Sequence, residues 1–167
     1  MAKKLALVGI LLVIAAGVFF MMMRRSHMMG AESQRPAGGL TAVSANGAPL
    51  PAPASAEKLP ENTAAQESGG LYISLGMTPY PPSSGGDTNF VVTLKDASGQ
   101  PVTDATISLD LTMPSMWMPP NQLDLVAGSA AGTYQASGYF TMRGMWRIEA
   151  LITRGGQKQS VFFDVGL

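Results

Sequence analysis

Six methionines between residues 70 and 167 fall in only three short stretches of the chain. Thioether sulfur is a soft, uncharged ligand that favours Cu(I) over hard divalent cations, and methionine side chains also adapt to irregular surfaces. The clustering therefore predicts a soft-metal site or an adaptable contact surface, provided that the fold brings the three stretches together. The stretches contain Met77; Met113, Met116 and Met118; and Met142 and Met145.

The densest stretch combines thioether ligands with a stiff backbone. Pro114 and Pro119 bracket it, and a restricted loop loses less freedom when a ligand binds. Trp117 lies between two of the methionines, where an indole face could contact a bound cation. We therefore predict a Cu(I) site formed by Met113, Met116, Met118, Met142, Met145, Trp117 and Met77. Two other interpretations stay open: the methionines fill the open end of a domain, or they form an exposed patch that docks a membrane partner.

Alternating apolar and polar residues after Leu71 predict short β-strands separated by turn signals. The pattern is typical of an all-β, immunoglobulin-like β-sandwich of about seven strands. The methionine stretches occupy alternate connections, which fall at the same end of an antiparallel arrangement, so we predict a methionine rim at one pole. We also predict that this pole is remote from the N-terminal tether. The predicted strands are Leu71–Met77, Asn89–Lys95, Ala105–Thr112, Leu123–Val126, Thr133–Phe140, Trp146–Thr153 and Gln159–Val165.

Composition excludes several classes of function. The chain has 11 basic and 11 acidic residues, so the basic excess typical of a nucleic-acid-binding protein is missing. It has no cysteine, which excludes disulfides, zinc–thiolate sites and thiol nucleophiles. Its single histidine, His27, lies outside the predicted domain, so neither a Ser-His-Asp triad nor a polyhistidine metal site can form there. We therefore expect no enzymatic activity.

The N-terminal third predicts a tethered organisation. Leu5–Met23 is 19 residues without a charge, flanked by Lys3-Lys4 and Arg24-Arg25, which is long enough for a transmembrane helix, and the alternative is a cleaved signal peptide. We assign residues 1–29 to this anchor, residues 30–69 to a disordered linker rich in Pro, Gly and Ala, and residues 70–167 to the sandwich domain. A short two-lysine tail is easier to leave in the cytoplasm than a domain, so the expected location is the cytoplasmic (inner) membrane, with the domain periplasmic or extracellular.

The methionine motifs carry a family resemblance. Met113-Pro114-Ser115-Met116, Gly132-Thr133-Tyr134-Gln135-Ala136 and Met142-Arg143-Gly144-Met145-Trp146 resemble the MPxM, GxYxA and MxGxW pattern of the YtkA-like domain, which is also seen in FixH-like proteins. The resemblance covers about residues 70–165. It implies an exported immunoglobulin-like sandwich that is associated with copper handling or respiratory-oxidase assembly.

The resemblance also indicates which ligands to expect. It places Met113, Met116 and Met142 at motif positions. Many relatives have a histidine after the second methionine, where this chain has Trp117-Met118, so an all-thioether Cu(I) site is expected instead of a Cu(II) site of histidine type. The predicted function is that of a membrane-tethered Cu(I)-binding accessory protein or chaperone for a membrane copper enzyme. The alternative is an accessory subunit that binds no metal and docks a respiratory or transport membrane complex.

Overall fold

Alternating apolar side chains form the strands of this protein. In the strand Met145–Arg154, Trp146, Ile148, Ala150 and Ile152 are fully buried, whereas the residues between them are more exposed. Successive side chains of a strand point to opposite faces, so this period of two buries one face and leaves the other towards water.

The computed structural model describes residues 39–54 and 59–167, and in these ranges it contains ten strands and no helix. The prediction of an all-β domain is therefore confirmed for this part of the chain. The strands are β1 (Thr41–Val43), β2 (Thr63–Ser68), β3 (Leu71–Thr78), β4 (Asp87–Asp96), β5 (Thr106–Thr112), β6 (Gln122–Asp124), β7 (Val126–Ala127), β8 (Thr133–Tyr139), β9 (Met145–Arg154) and β10 (Gln157–Gly166).

The strands form two antiparallel sheets of five strands each. The first sheet has the order β1-β10-β9-β5-β6, and the second has the order β2-β3-β4-β8-β7. Inward-facing side chains from both sheets belong to one hydrophobic core. Phe140, which follows β8 of the second sheet, contacts Trp146 of β9 in the first sheet with ring centroids 5.3 Å apart. The core therefore joins the two sheets at this end of the domain.

Two strands lie in the segment that the sequence assigned to a disordered linker. β1 pairs with β10, and β2 pairs with β3 along its whole length, so the linker assignment of residues 30–69 is wrong for these segments. Ala42, Ala64 and Ala65 are buried there, but alanine has a low strand propensity and gives a weak periodic signal. The amide of buried Gln66 donates to the Phe162 carbonyl (2.9 Å), which links the second sheet to the first.

The predicted strand Leu123–Val126 is divided between the two sheets. β6 pairs with β5 in the first sheet, and β7 pairs with β8 in the second. Leu125 lies between them, is buried, and donates its backbone N–H to the Ile107 carbonyl (3.0 Å). The chain therefore changes sheets at a residue that the sequence pattern placed inside one strand.

The connection that follows Met77 and the two connections that carry the other methionines lie at one end of the domain. In the second sheet, Thr78 at the end of β3 pairs with Asn89 near the start of β4. In the first sheet, Thr112 at the end of β5 pairs with Arg147 near the start of β9. The Phe140–Trp146 contact joins these two ends. We call this end the methionine pole, and its existence confirms the prediction of a common pole.

The described chain begins at the methionine pole. The backbone N–H of Leu40 donates to the Tyr80 hydroxyl (2.8 Å), and Gly39, Tyr80 and Arg143 line one cleft. β1 then runs away from this pole, with Thr41 paired to Asp164 near the end of β10. The sequence analysis placed the entry of the chain at the opposite pole, which is wrong for the described residues. The error arose because β1 and β2 add passes across the domain before β3.

Within residues 39–54 and 59–167, no helix has the length and apolar composition needed to cross a membrane. The predicted anchor, Leu5–Met23, lies outside these ranges.

Candidate functional site

Three aromatic rings form a rigid floor beneath the methionine pole. Phe90 packs edge-on against Phe140 (centroids 5.7 Å apart), and Phe140 packs edge-on against Trp146. All three side chains are fully buried. The indole N–H of Trp146 donates to the Met142 carbonyl (3.0 Å), so the buried ring also holds the backbone of the loop above it.

Met113 joins the two loops that carry most of the candidate ligands. It is buried at the start of the loop 113–121, and its carbonyl accepts a hydrogen bond from the Met116 N–H (3.2 Å). Its terminal methyl packs over Gly144 so closely that a Cβ on this glycine would lie 2.5 Å from the methyl. Gly144 has a φ of 139°, a backbone conformation that residues other than glycine rarely adopt. The glycine therefore allows the thioether of Met113 to contact the loop 140–144.

The remaining loop methionines surround this contact with different exposures. Met116 follows Met113 by one turn and is exposed, as are Met142 and Met145 on the neighbouring segment. Met118 is half-buried and packs against the core. We call the surface formed by these five residues and Trp117 the rim. The prediction that the loops 113–121 and 140–144 lie together is confirmed by the contact at Gly144.

Trp117 and Met77 represent the two extremes of the predicted set. Trp117 is 87% exposed, at the outermost part of the rim. Met77 is fully buried in β3, where it pairs with Phe90 and belongs to the core. Met77 is therefore not part of the rim, contrary to the prediction. The strand extends to Thr78, so the alternation that buries Ile73 and Leu75 continues to Met77.

The electrostatic setting of the pole is mixed. Arg143 is exposed between two rim methionines, and no ion pair involves it in the part of the chain that the structure describes. Asp87 at the start of β4 pairs with Tyr139 at the end of β8, so one carboxylate lies at the same pole. Within the described ranges there is no group of three or more His, Cys, Asp and Glu side chains that could hold a metal ion. The soft donors at this pole are thioethers.

A bidentate ion pair supports the rim from the outer face of the first sheet. Arg147 donates from Nε to Asp164 Oδ1 (2.9 Å) and from Nη2 to Oδ2 (3.0 Å), and from Nη1 to the Ala45 carbonyl (3.2 Å). The hydrogen bonds to Asp164 raise the pKa of the guanidinium above its ordinary value, so Arg147 stays charged. The bond to the Ala45 carbonyl fastens the turn after β1 to β9, two residues from Met145. Sequence analysis missed the ion pair, since Arg147 and Asp164 are paired only through the register of β9 and β10.

A cleft beside the rim was also not predicted. Its volume is about 590 Å³. Its lining combines the prolines and hydroxyls of residues 80–84 with Arg143 and the last two residues of the chain. The sequence indicates the Pro-Pro-Ser-Ser run, but only the pairing of β9 with β10 brings Gly166 next to Met145 and closes the cleft.

Comparison with known proteins gives one family. A family model described as YtkA-like matches residues 63–150, which is 88 of the 167 residues. The match begins at Thr63, the first residue of β2, and includes both loops of the rim. No curated protein and no solved structure matches the chain.

Proposed function

The chain belongs to the YtkA-like family, and from this premise we propose that it is a membrane-tethered Cu(I)-binding accessory protein or chaperone. Its two sheets form an immunoglobulin-like sandwich, anchored in the cytoplasmic membrane by Leu5–Met23 and facing the periplasm or the cell exterior. It binds Cu(I) at the rim and transfers the metal to a membrane-bound copper enzyme. It carries out no catalysis of its own.

One observation supports the metal site most directly. The methyl group of Met113 packs against Gly144, so the loop 113–121 meets the segment that carries Met142 and Met145, and this supports a shared site. Cu(I) is satisfied by two or three soft ligands, and these residues offer them on two loops of one pole. The buried floor and the hydrogen bond from Trp146 hold one of these loops in place, which lowers the ordering cost of binding.

The exposure of the rim suits a site that releases its metal. Thioethers are weaker ligands than thiolates, are not protonated at ordinary pH and remain ligands in an oxidising compartment. Trp117 is available to fold over a bound Cu(I), because its indole makes little contact with the domain. We assign Met113, Met116, Met118, Met142 and Met145 as the ligand set and Trp117 as the cover. Met77 is assigned to the core alone.

Titration of the full-length protein in detergent with Cu(I) against a competing chelator tests the site. The variant M113L/M116L/M118L keeps apolar volume but removes three sulfurs, and we expect a loss of at least tenfold in affinity, about 1.4 kcal/mol. M77L is the matched control, since it removes a buried sulfur at the same pole, and it should bind as the unchanged protein does. Equal Cu(I) affinity in the triple variant and the unchanged protein would falsify the proposed site.

The exposure of Trp117 supports a second candidate function. A tryptophan that is 87% exposed is unusual on an isolated domain and suits a contact with another macromolecule. The alternative is an accessory subunit that docks a respiratory or transport membrane complex and binds no metal. Co-purification with a membrane complex from copper-free cells that survives the triple leucine variant would favour this function over metal transfer.

A further inference from the structure

The exposed apolar side chains of the described domain are concentrated at one pole. Seven large hydrophobic residues are exposed in the described ranges, and five of them lie at the methionine pole. The other two, Val91 and Val126, lie on the second sheet. Exposed apolar side chains without a function would be scattered over the surface. Their concentration at one end indicates a binding surface. The five residues are Met116, Trp117, Tyr139, Met142 and Met145.

The point where the chain joins the domain indicates what the partner is. Gly39 lies at the methionine pole, and only residues 24–38 separate it from the predicted anchor. Fifteen residues span at most about 50 Å when fully extended. The ten-residue strands place the opposite pole roughly 33 Å further from this junction. Because the described chain enters the domain at the methionine pole, this pole needs a shorter length of extended linker to reach the bilayer than the opposite pole does.

The chemistry of the pole fits a phospholipid surface. Tryptophan and tyrosine are the side chains most enriched at membrane interfaces, where one part of the ring is apolar and another is hydrated. Arg143 lies between Met142 and Met145, and a guanidinium binds phosphate groups with two parallel hydrogen bonds. The hydroxyls of Ser83 and Ser84 line the same cleft as Arg143. Asp87 at this pole opposes a purely electrostatic attraction, so apolar insertion is the main source of binding.

We infer that the methionine pole docks on the bilayer surface, with Trp117 and Met116 inserted at the interface and Arg143 bound to lipid phosphate. The inference rests on the tether of the proposed function and not on its copper site. Docking does not require anionic lipid, since every phospholipid carries the phosphate that Arg143 binds.

The two tryptophans of the chain provide a built-in test. Trp117 is 87% exposed and Trp146 is fully buried, so W117F isolates the signal of Trp146 and subtraction gives that of Trp117. The full-length protein is reconstituted, without metal, in phosphatidylcholine vesicles that contain lipids brominated in the upper acyl chain. We expect strong quenching of Trp117 by the brominated lipid and at least threefold lower accessibility to acrylamide than for an exposed reporter elsewhere on the domain.

The matched control moves the exposed reporter to the second sheet. Val126 is 64% exposed, and V126W in a W117F background should be accessible to acrylamide and unquenched by brominated lipid. Equal behaviour of the two reporters would overturn the inference. Protection of Trp117 that disappears when the protein is diluted with more lipid would also overturn it, in favour of contact between two copies of the chain.

The arginine contact and the copper site are tested separately. R143Q should raise the acrylamide accessibility of Trp117 in the same vesicles, and unchanged accessibility would remove Arg143 from the docking surface and overturn that part of the inference. All vesicle samples are free of metal, so the two tests are independent. Quenching of Trp117 together with a failed Cu(I) titration would support docking and reject only the copper site. The reverse pair of results would retain the copper site and reject docking.

Discussion

The ion pair between Arg147 and Asp164 should contribute far more stability than a second arginine–aspartate pair that starts on the same strand. Both pairs join Nε to Oδ1, at 2.9 Å for Arg147–Asp164 and 2.8 Å for Arg154–Asp104. The side-chain exposures differ: 18% and 7% in the first pair, against 39% and 63% in the second. The chain therefore offers a comparison of a largely buried, bidentate pair with an exposed pair joined by one hydrogen bond.

The expected magnitudes follow from what each truncation leaves behind. Removing one partner of a buried pair costs about 3–5 kcal/mol, because the other charge stays in a poorly solvated place. In D164A, Arg147 keeps its hydrogen bond to the Ala45 carbonyl and some contact with water, so we expect a loss of about 2–3 kcal/mol. In D104A, water replaces the carboxylate around an exposed guanidinium, and the loss should be about 0–1 kcal/mol.

Urea unfolding of a chain that begins at Gly39 measures both values, with the fluorescence of buried Trp146 as the probe in a W117F background. The double variant R147M/D164L removes both charges together, so it should be less destabilised than D164A by more than about 1 kcal/mol. Losses for D164A and D104A that agree within about 0.5 kcal/mol would refute the reasoning, since burial would then have no effect on the pair.

Three further outcomes are expected. A chain that begins at Gly70 lacks β1 and β2, so its urea midpoint should lie below that of a chain that begins at Gly39. G144A places a Cβ 2.5 Å from the Met113 methyl at a φ of 139°, so Cu(I) affinity in the chelator titration should fall. Hydrogen bonds, first from the Ser98 hydroxyl, lower the pKa of Asp96 below 3.8. The stability that the ionised Asp96 contributes is present above pH 3.8 and is lost as pH falls through the lowered pKa. Acidification should therefore lower the melting temperature of D96N less than that of the unchanged protein.

Strand positions could be predicted wherever a strand is half-buried and alternates. β4 and β9 follow a strict period of two, and both were predicted within two residues of their observed ends. β2 could not be found this way, because Ala64, Ala65 and Gln66 are buried in succession and one of them is polar. Gln66 is acceptable there only because its amide reaches Phe162, 96 residues away, and no local pattern contains that contact.

The candidate site was predicted in part for similar reasons. The common pole follows from counting strand reversals, which needs only the strands after Leu71. The burial of Met77 was predictable, because it continues the two-residue spacing of the inward-facing Ile73 and Leu75. It was grouped with the loop methionines because it is also a methionine. The side of the domain that receives the tether depends on β1, whose three residues carry almost no sequence signal.

The position of the chain junction changes what the tether can do. A rim at the far pole would need a long linker to bring its metal back to a partner in the membrane, and the sequence analysis predicted a disordered linker at residues 30–69. In the structure, β1 and β2 are part of the two sheets, so much of this segment no longer contributes length. The described chain instead enters the domain at the pole that carries the rim, and residues 24–38 before it span at most about 50 Å. The proposed function then needs Cu(I) transfer over a short distance only, because the proposed anchor would keep the local concentration of the rim near the bilayer high.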